Sequence, residues 1–592
     1  MRFPQARRQP CPPRLRLSLG GRKRWSDGKD ESGENDEISK NTENRENDGN
    51  GRYVRTMETK KNDGAENAAE GLLLPGTVLF FCLLALCMQG IPALAAIPEE
   101  VKRGSFAVLF FLLLAAAVFG AVTGKIPERE MVFLIVCLSM LLRCAYVILS
   151  GLYERQHDLG VYTGIGDEQV NPGHLGYIEF IYKFRKLPDM NPYELFSYYH
   201  PPLHYVISGL WLILLTGAGM AEGPAFESLQ VLPLLYSGLF LLVCLQVLKL
   251  LGARGKGLYA GLFLCGLHPS LMYLAGSVNN DMLSTLLTAC SIWLCLLWIR
   301  KKTLPLLLAL ALSIGLGLLC KINTAVIALP VALVFLMDLA GVLRGEGRVG
   351  RETWKTLRNY ALFGITSGVV GLSWIARNLI LFSVKPGISS ATPESVMYTG
   401  AYGLWQRIGL PAAADWNFQF PFHGISAESC CNTWVILFQT ALFAEEYPAG
   451  LAAFPMLLCR TAFVLSILAA IACALLFAAV WRKKTLLAVG EAKGKQPGAL
   501  LRSRALQESS FLGTGYLAFL FSFVLFTVKY PYTCSSDFRY IVICLLYMGA
   551  GMAESAALFP TGRFARIGGA VRALTCAAVA AAACAVVVWQ RW

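Results

Sequence analysis

The sequence predicts an all-α polytopic membrane protein, a bundle of about thirteen transmembrane helices. Three observations predict it. Of the 592 residues, 55% are hydrophobic and 16% charged, well under the roughly 25% charged residues of a soluble domain. Uncharged apolar runs, each near the ~20 residues that cross a bilayer, recur from Leu72 to the C-terminus. Between many of them stand short connectors rich in Lys and Arg, the mark of loops on the cytoplasmic side.

The apolar runs fall near 72–96, 105–124, 131–151, 203–219, 228–252, 257–276, 282–300, 303–320, 324–343, 359–383, 451–481, 511–529, 540–558 and 569–590. The basic connectors at 253–257, 300–302, 344–358, 481–504 and 562–566 belong inside. Segments 152–202, 384–450 and 531–539 then face outside. One run conflicts with that count, since two apolar runs separate the external segment 152–202 from the internal connector 253–257. The run 203–219 opens with Pro201 and Pro202 and ends in TGAGMAEG, poor flanks for a spanning helix. A re-entrant 203–219 leaves thirteen spans, a cytoplasmic N-terminus and an external C-terminus.

Residues 1–71 form a separate region, a polar tail with no apolar periodicity and too little hydrophobic surface to fold. Up to Arg24 it holds eight basic residues and no acid, which suits contact with anionic lipid; the alternative is translation from Met57. The net charge of +14 reads as orientation signal on a membrane protein, so no nucleic-acid partner is expected. Fourteen of the eighteen cysteines sit in apolar runs as small hydrophobes. GEGRVG at 345–350 imitates a nucleotide-binding loop, but it follows an apolar helix and lacks the strand of a βαβ unit. No P-loop, HExxH or GxSxG occurs.

The polar chemistry gathers outside. His157, His174, His200 and His204 lie in or beside segment 152–202, and His423 lies in segment 384–450. A connector of that length is functional or disordered, and its aromatics argue against disorder. Within it, YIEFIYKF predicts an amphipathic helix along the membrane surface, and YYHPPLHY returns the chain to the bilayer. Segment 384–450 mixes Trp, Tyr and Phe with carboxylates, as loops covering a sugar or lipid site do.

These features resemble the polyprenyl-phosphate-dependent glycosyltransferases of the GT-C superfamily, specifically glycosyltransferase family 39. That family includes the protein O-mannosyltransferases and the aminoarabinose transferases that modify lipid A. The resembling residues are QHD ending at Asp158, GHLGYI (173–178), HPPLHY (200–205), SVNND (277–281), WIARN (374–378) and CSSDFRY (534–540). The resemblance implies a GT-C-like bundle with a helical first external loop and a mixed second one. It implies a polyprenyl-phosphate-linked sugar donor and a lipid, protein or glycan acceptor, with sugar transfer at the outer face of a multi-pass cell membrane protein. The setting that fits is a bacterial plasma membrane.

Such a reaction needs a carboxylate to take the proton of the acceptor hydroxyl and cations to hold the departing phosphate. Asp158 is the expected general base, with Asp167 and Glu168 as alternatives; either reading competes with a solvated loop carboxylate. Arg539, Arg377 and Lys321, at the ends of apolar runs, are the expected phosphate ligands, against a role as interfacial anchors or as partners of Asp537 and Asp281. His157, His174, Tyr177, His200, His204, Asn280, Asp281 and Asp537 would position substrate. His200 and His204 could also hold a divalent cation with the loop carboxylates. Asn279, Asn280 and Asp281 are expected to cap the helix that begins at Met282. Two other classes share the many spans: a transporter or lipid flippase, and a surface-glycan polymerase or ligase. The first lacks the internal repeats and midplane charges transporters carry; the second takes a polyprenyl-diphosphate oligosaccharide as donor.

Overall fold

The structure, a computed structural model, describes residues 72–154, 170–347, 349–385, 393–411, 421–445, 448, 450–492 and 498–590. They form α1 (Leu72–Gly90), α2 (Glu99–Thr123), α3 (Glu128–Leu149), α4 (Gly173–Phe184), α5 (Leu203–Gly217), α6 (Glu222–Leu250), α7 (Gly255–Leu267), α8 (Pro269–Gly276) and α9 (Asp281–Lys301). These are followed by α10 (Leu304–Cys320), α11 (Ile322–Glu346), α12 (Arg351–Gly371), α13 (Ser373–Phe382), α14 (Thr433–Phe443), α15 (Ala453–Ala492), α16 (Arg504–Lys529), α17 (Cys544–Leu558) and α18 (Gly562–Trp589). No named strand occurs among the described residues; one isolated antiparallel bridge joins Tyr398 to Tyr532.

Among the described residues, nine helices are long and apolar enough to cross a membrane, or twelve if each of three bent pairs counts as one span. The chain is a multi-pass membrane protein. Of the fourteen apolar runs in the sequence, those at 203–219 and 303–320 become the shorter helices α5 and α10. The pairs α7–α8, α12–α13 and the 533–541 turn with α17 bend by 43°, 53° and 42°. One apolar helix, α14, lies inside the segment read as an external loop. Its sequence, TWVILFQTALF, is apolar but too short to span at ~1.5 Å per residue.

Local chemistry sets the ends. Helices α2 and α3 each start after a proline with two glutamates in the first turn, where carboxylates favour the positive end of the helix dipole. Gly124, at φ 66°, closes α2, a backbone state glycine adopts without penalty. The start of α9 differs from expectation: the helix begins at Asp281, and its N-cap Asn280 makes no side-chain cap bond. Asn279 Oδ1 accepts from the Asp281 N–H at 3.0 Å instead, while Asn280 donates to the Cys320 carbonyl at 2.9 Å.

Lipid tails are as apolar as leucine, so helices in a membrane associate through close packing and polar contacts. Helices α7 and α17 cross backbone to backbone at Gly261 and Gly549. A Cβ on Gly261 would lie 2.9 Å from the Gly549 carbonyl, and one on Gly549 would lie 3.2 Å from that of Gly261. Side chains from α3, α6, α7, α8, α9 and α17 fill the buried core. The connectors predicted to be cytoplasmic are knitted by ion pairs: Arg300 and Arg504 to Glu508 at 2.7 and 2.9 Å, Lys302 to Asp338 at 3.0 Å, and Lys484 to Glu554. Tyr360 adds a 2.9 Å bond to Asp338.

Candidate active site

Four segments that are distant in sequence meet around Asp281: the start of α5, the α8–α9 junction, the end of α10 and the 533–541 turn, with helix α4 joined to them through the Tyr205 ring. Asp281 opens α9, and its carboxylate pairs with Lys321, the residue that ends α10. On its other side the Arg539 guanidinium stands 3.8 Å away. Lys321 and Arg539 also lie over the Tyr540 ring, at 5.1 and 5.2 Å from its centroid. The Asp537 carboxylate turns to the Arg539 backbone N–H at 2.7 Å and so caps the short turn that presents that arginine. Asp281, Asp537 and Arg539 are all buried. Charges at that depth are tolerated because they are paired.

Next to this ion cluster stands a column of rings. Tyr177 is sandwiched between Tyr198 and Tyr205, with centroids 4.7 and 4.2 Å away and near-parallel planes. His174 stacks on Tyr205 and on His200, and its Nδ1 lies 2.7 Å from the Tyr205 hydroxyl. His204 is fully buried, edge-on to Tyr205 and Tyr236, and neither ring nitrogen has a hydrogen-bond partner among the described residues. Asp281 lies within electrostatic range of both His204 and Tyr205. Burial pushes the Tyr177 and Tyr198 phenols well above their ordinary value, so both stay protonated donors.

Helix α4 is buried from Gly173 to Ile181, so it serves as a packed wall of the site and not as the surface-lying helix its amphipathic pattern suggested. The reason is α5, which packs along it and covers the face that would otherwise meet lipid. Polar bonds fix both ends of the neighbouring loop. Asn171 donates to Glu179 at 2.8 Å, Glu179 pairs with Lys183 at 2.7 Å, and Tyr198 donates to the Asn171 carbonyl at 2.8 Å. Glu227 accepts the Leu152 N–H at 3.0 Å, and Gln230 donates to both Glu227 and the Ser150 carbonyl.

The structure thus brings together His174, Tyr177, His200, His204, Asn280, Asp281, Lys321, Asp537 and Arg539. Arg377 is placed differently from the phosphate role expected of it. It donates to the Pro188 carbonyl and to Asn378, and stacks on Trp374 at 4.7 Å. With Tyr193 donating to the Lys385 carbonyl at 3.2 Å, it ties the chain after α4 to the end of α13. His157, Asp158, Asp167 and Glu168 lie outside the described residues. Among the described residues no three His, Cys, Asp or Glu side chains converge as a metal site would require.

Sequence reading missed Tyr198, Tyr205, Tyr540 and Glu179 as site-building residues. Glu179 and Lys183 did carry a readable signal, the i,i+4 spacing of a helical ion pair. Tyr205 and Tyr540 close the motifs HPPLHY and CSSDFRY, but nothing in those motifs separated the tyrosines from an interfacial aromatic belt, which uses the same residue type.

A family model described as dolichyl-phosphate-mannose-protein mannosyltransferase matches residues 200–345. None of the curated proteins matches the chain. Among solved structures, the Archaeoglobus fulgidus oligosaccharyltransferase in the apo form aligns at 11% identity and TM-score 0.37, over 76% of this chain and 56% of that one. The same organism's oligosaccharyltransferase AglB, in complex with an inhibitory peptide and a dolichol-phosphate, aligns at 11% identity and TM-score 0.38, over 78% of this chain and 56% of that one. ArnT from Cupriavidus metallidurans, bound to undecaprenyl phosphate, aligns at 14% identity and TM-score 0.32, over 73% of this chain and 79% of that one. The chain therefore spans little more than half the length of the two archaeal chains. The segment 200–345, which is similar to that family model, carries His200, His204, Asn280, Asp281 and Lys321 inside an all-helical multi-span bundle.

Proposed function

We propose that the chain is a membrane glycosyltransferase that moves a sugar from a polyprenyl-phosphate donor to an acceptor hydroxyl, with inversion at the anomeric carbon. The observation that carries this reading is the sharing of the Asp281 carboxylate by Lys321 and Arg539 next to the His174–Tyr205 column. Two cations held by one buried carboxylate are set for a phosphate anion before it arrives, and such preorganised charge is the largest lever on a leaving group. Tyr177, Tyr205, His174 and His204 offer donors and acceptors of the kind sugar hydroxyls need. The family model over 200–345 is described by a dolichyl-phosphate-mannose donor and a protein acceptor. That description is compatible with this site and leaves the sugar and the acceptor of this chain to experiment.

In the reaction, the acceptor oxygen forms its bond to the anomeric carbon as the bond to the phosphate oxygen breaks. The hydroxyl proton passes to a carboxylate, assigned to Asp158, and the electron pair leaves with the phosphate, held by Lys321 and Arg539. Asp167 and Glu168 are the alternative bases. Segments 152–202, 384–450 and 531–539 face the outside of a bacterial plasma membrane in this reading, with the 1–71 tail in the cytoplasm. The test is Asp158→Asn in membranes supplied with a polyprenyl-phosphate sugar. Transfer should fall by about 10²-fold or more at unchanged expression; near-normal transfer would move the base to Asp167 or Glu168, and normal transfer in all three variants would sink the mechanism.

A further inference from the structure

Arg143 lies well inside a span, about 9 Å from the end of α3 at 1.5 Å per residue, and it is fully buried. Among the described residues no carboxylate stands within ion-pair range of it. Its guanidinium spends its donors on neutral oxygens. Nε donates to Ser237 Oγ at 2.6 Å, Nη1 to the Ser139 carbonyl at 3.0 Å and to the Gly266 carbonyl, and Nη2 to the Cys265 carbonyl at 3.3 Å.

The last two acceptors identify the cause. In an unbroken helix the Cys265 carbonyl would accept from the N–H four residues on, and that residue is Pro269, which has none. The helix breaks there by 43°, and the break also leaves the Gly266 carbonyl in need of a donor. A backbone carbonyl without a partner inside a membrane is expensive. A guanidinium, with five donors in a rigid fork, can satisfy both. Ser237 extends the bond network to α8 by donating to the Leu271 carbonyl at 3.4 Å.

The break stands at the root of the candidate site. Its outer half, α8, runs directly into Ser277, Asn279, Asn280 and Asp281. Its corner residue, His268, stacks on Phe538 at 5.2 Å, the neighbour of Arg539. The angle of the broken span therefore bears on both sides of the Asp281–Arg539 pair.

We propose that Arg143 is a positioning residue, a clamp that supplies the hydrogen bonds Pro269 removes and so holds the α7–α8 break at the angle that sets Asp281 against Arg539. The clamp stands on the hydrogen bonds alone; its consequence for donor binding rests on the function proposed above.

The experiment is a double-variant cycle on the full-length protein in detergent, with Arg143→Met, Pro269→Ala and the pair, read by thermal midpoint and by binding of undecaprenyl phosphate. Arg143→Met should lower the midpoint sharply. In the Pro269→Ala background, where the backbone N–H restored at that position can donate to the Cys265 carbonyl, the same change should lower it by less than half as much. Arg143→Lys, which keeps the charge but loses the fork, should recover only part of the loss. Pro269→Ala should remain folded yet bind the lipid phosphate roughly tenfold to a hundredfold more weakly, as displaced site residues do. Additive midpoint shifts overturn the clamp. Wild-type affinity in folded Pro269→Ala overturns the positioning role. A parent protein that binds no undecaprenyl phosphate overturns the proposed function and the positioning role with it, and the midpoint cycle still decides the clamp.

Discussion

Asp281, the first residue of α9, pairs with Lys321, the last position before α11, across forty residues of sequence. The pair closes the α9–α10 hairpin at the end where the ring column stands. It is fixed on both sides, by Asn280 bonding the Cys320 carbonyl and by Asn279 bonding the Asp281 N–H.

Replacing Asp281 by Asn takes the shared carboxylate from the half-buried Lys321 and the buried Arg539. Removing one partner of a buried pair costs about 3–5 kcal/mol. The expected outcome is a thermal midpoint lowered in detergent, partly restored by Lys321→Met in the same chain. A single Asp281→Asn variant as stable as the parent would show that the cluster is solvated in the membrane.

Lys321→Met should preserve the fold better than Asp281→Asn, because Arg539 still neutralises the carboxylate at 3.8 Å. Its effect should fall on the donor. Binding of undecaprenyl phosphate, followed by intrinsic tryptophan fluorescence, should weaken by about tenfold, the ~1.4 kcal/mol of one charge-assisted hydrogen bond.

Tyr205→Phe removes only the hydroxyl that meets His174 Nδ1 at 2.7 Å and keeps the stack on Tyr177. A loss of about 1 kcal/mol in stability is expected from one neutral hydrogen bond. Transfer activity should fall further than that if the His174 ring orientation matters, and His174→Phe should then add little to Tyr205→Phe. Independent, additive losses in a double-variant cycle would contradict this.

Acidification should weaken the fold through His423. Burial pushes its imidazole down from 6.5 to about 4, against the opposing hydrogen bond of Gln439. A group whose folded value is depressed binds its proton in the unfolded chain first. Its contribution is therefore complete above about pH 6.5 and lost progressively down to about pH 4, on the order of 3 kcal/mol in all. Thermal midpoints measured across that window should slope upward with pH, and His423→Phe should make the slope shallower by its own share.

Gly549→Leu places a side chain where α17 meets the Gly261 carbonyl, with 3.2 Å available to its first carbon. Overpacking of that kind costs about 1–3 kcal/mol. A lower midpoint with intact expression is expected; Gly364→Leu, where a Cβ meets nothing within 4 Å, serves as the neutral control.

Much of the candidate site was legible as a set of residues and illegible as an arrangement. HPPLHY, GHLGYI, SVNND and CSSDFRY stand out in the sequence because His, Asn, Asp and Arg are conspicuous beside apolar runs. Their convergence was not readable, since the contacts Asp281–Lys321, Asp281–Arg539 and His174–Tyr205 join positions 40, 258 and 31 residues apart. Arg377 shows the limit: its place at a span end suited a phosphate, yet its guanidinium donates to the Pro188 carbonyl, 189 residues away in sequence. Helix α4 shows it again, where an amphipathic pattern could not say whether lipid or α5 would cover the apolar face.

By itself the sequence determined the multi-span helical architecture and the location of the polar chemistry, because a bilayer demands ~20 apolar residues per crossing and expels unpaired charge. Only the tertiary structure decided which spans break, which helices fall short of a full crossing, and which charges meet. Those depend on where backbone carbonyls freed by Pro269 find donors, as at Arg143, and on which cations share a buried carboxylate, as at Asp281. Both are bonds between segments, and a pattern read along one segment does not contain them.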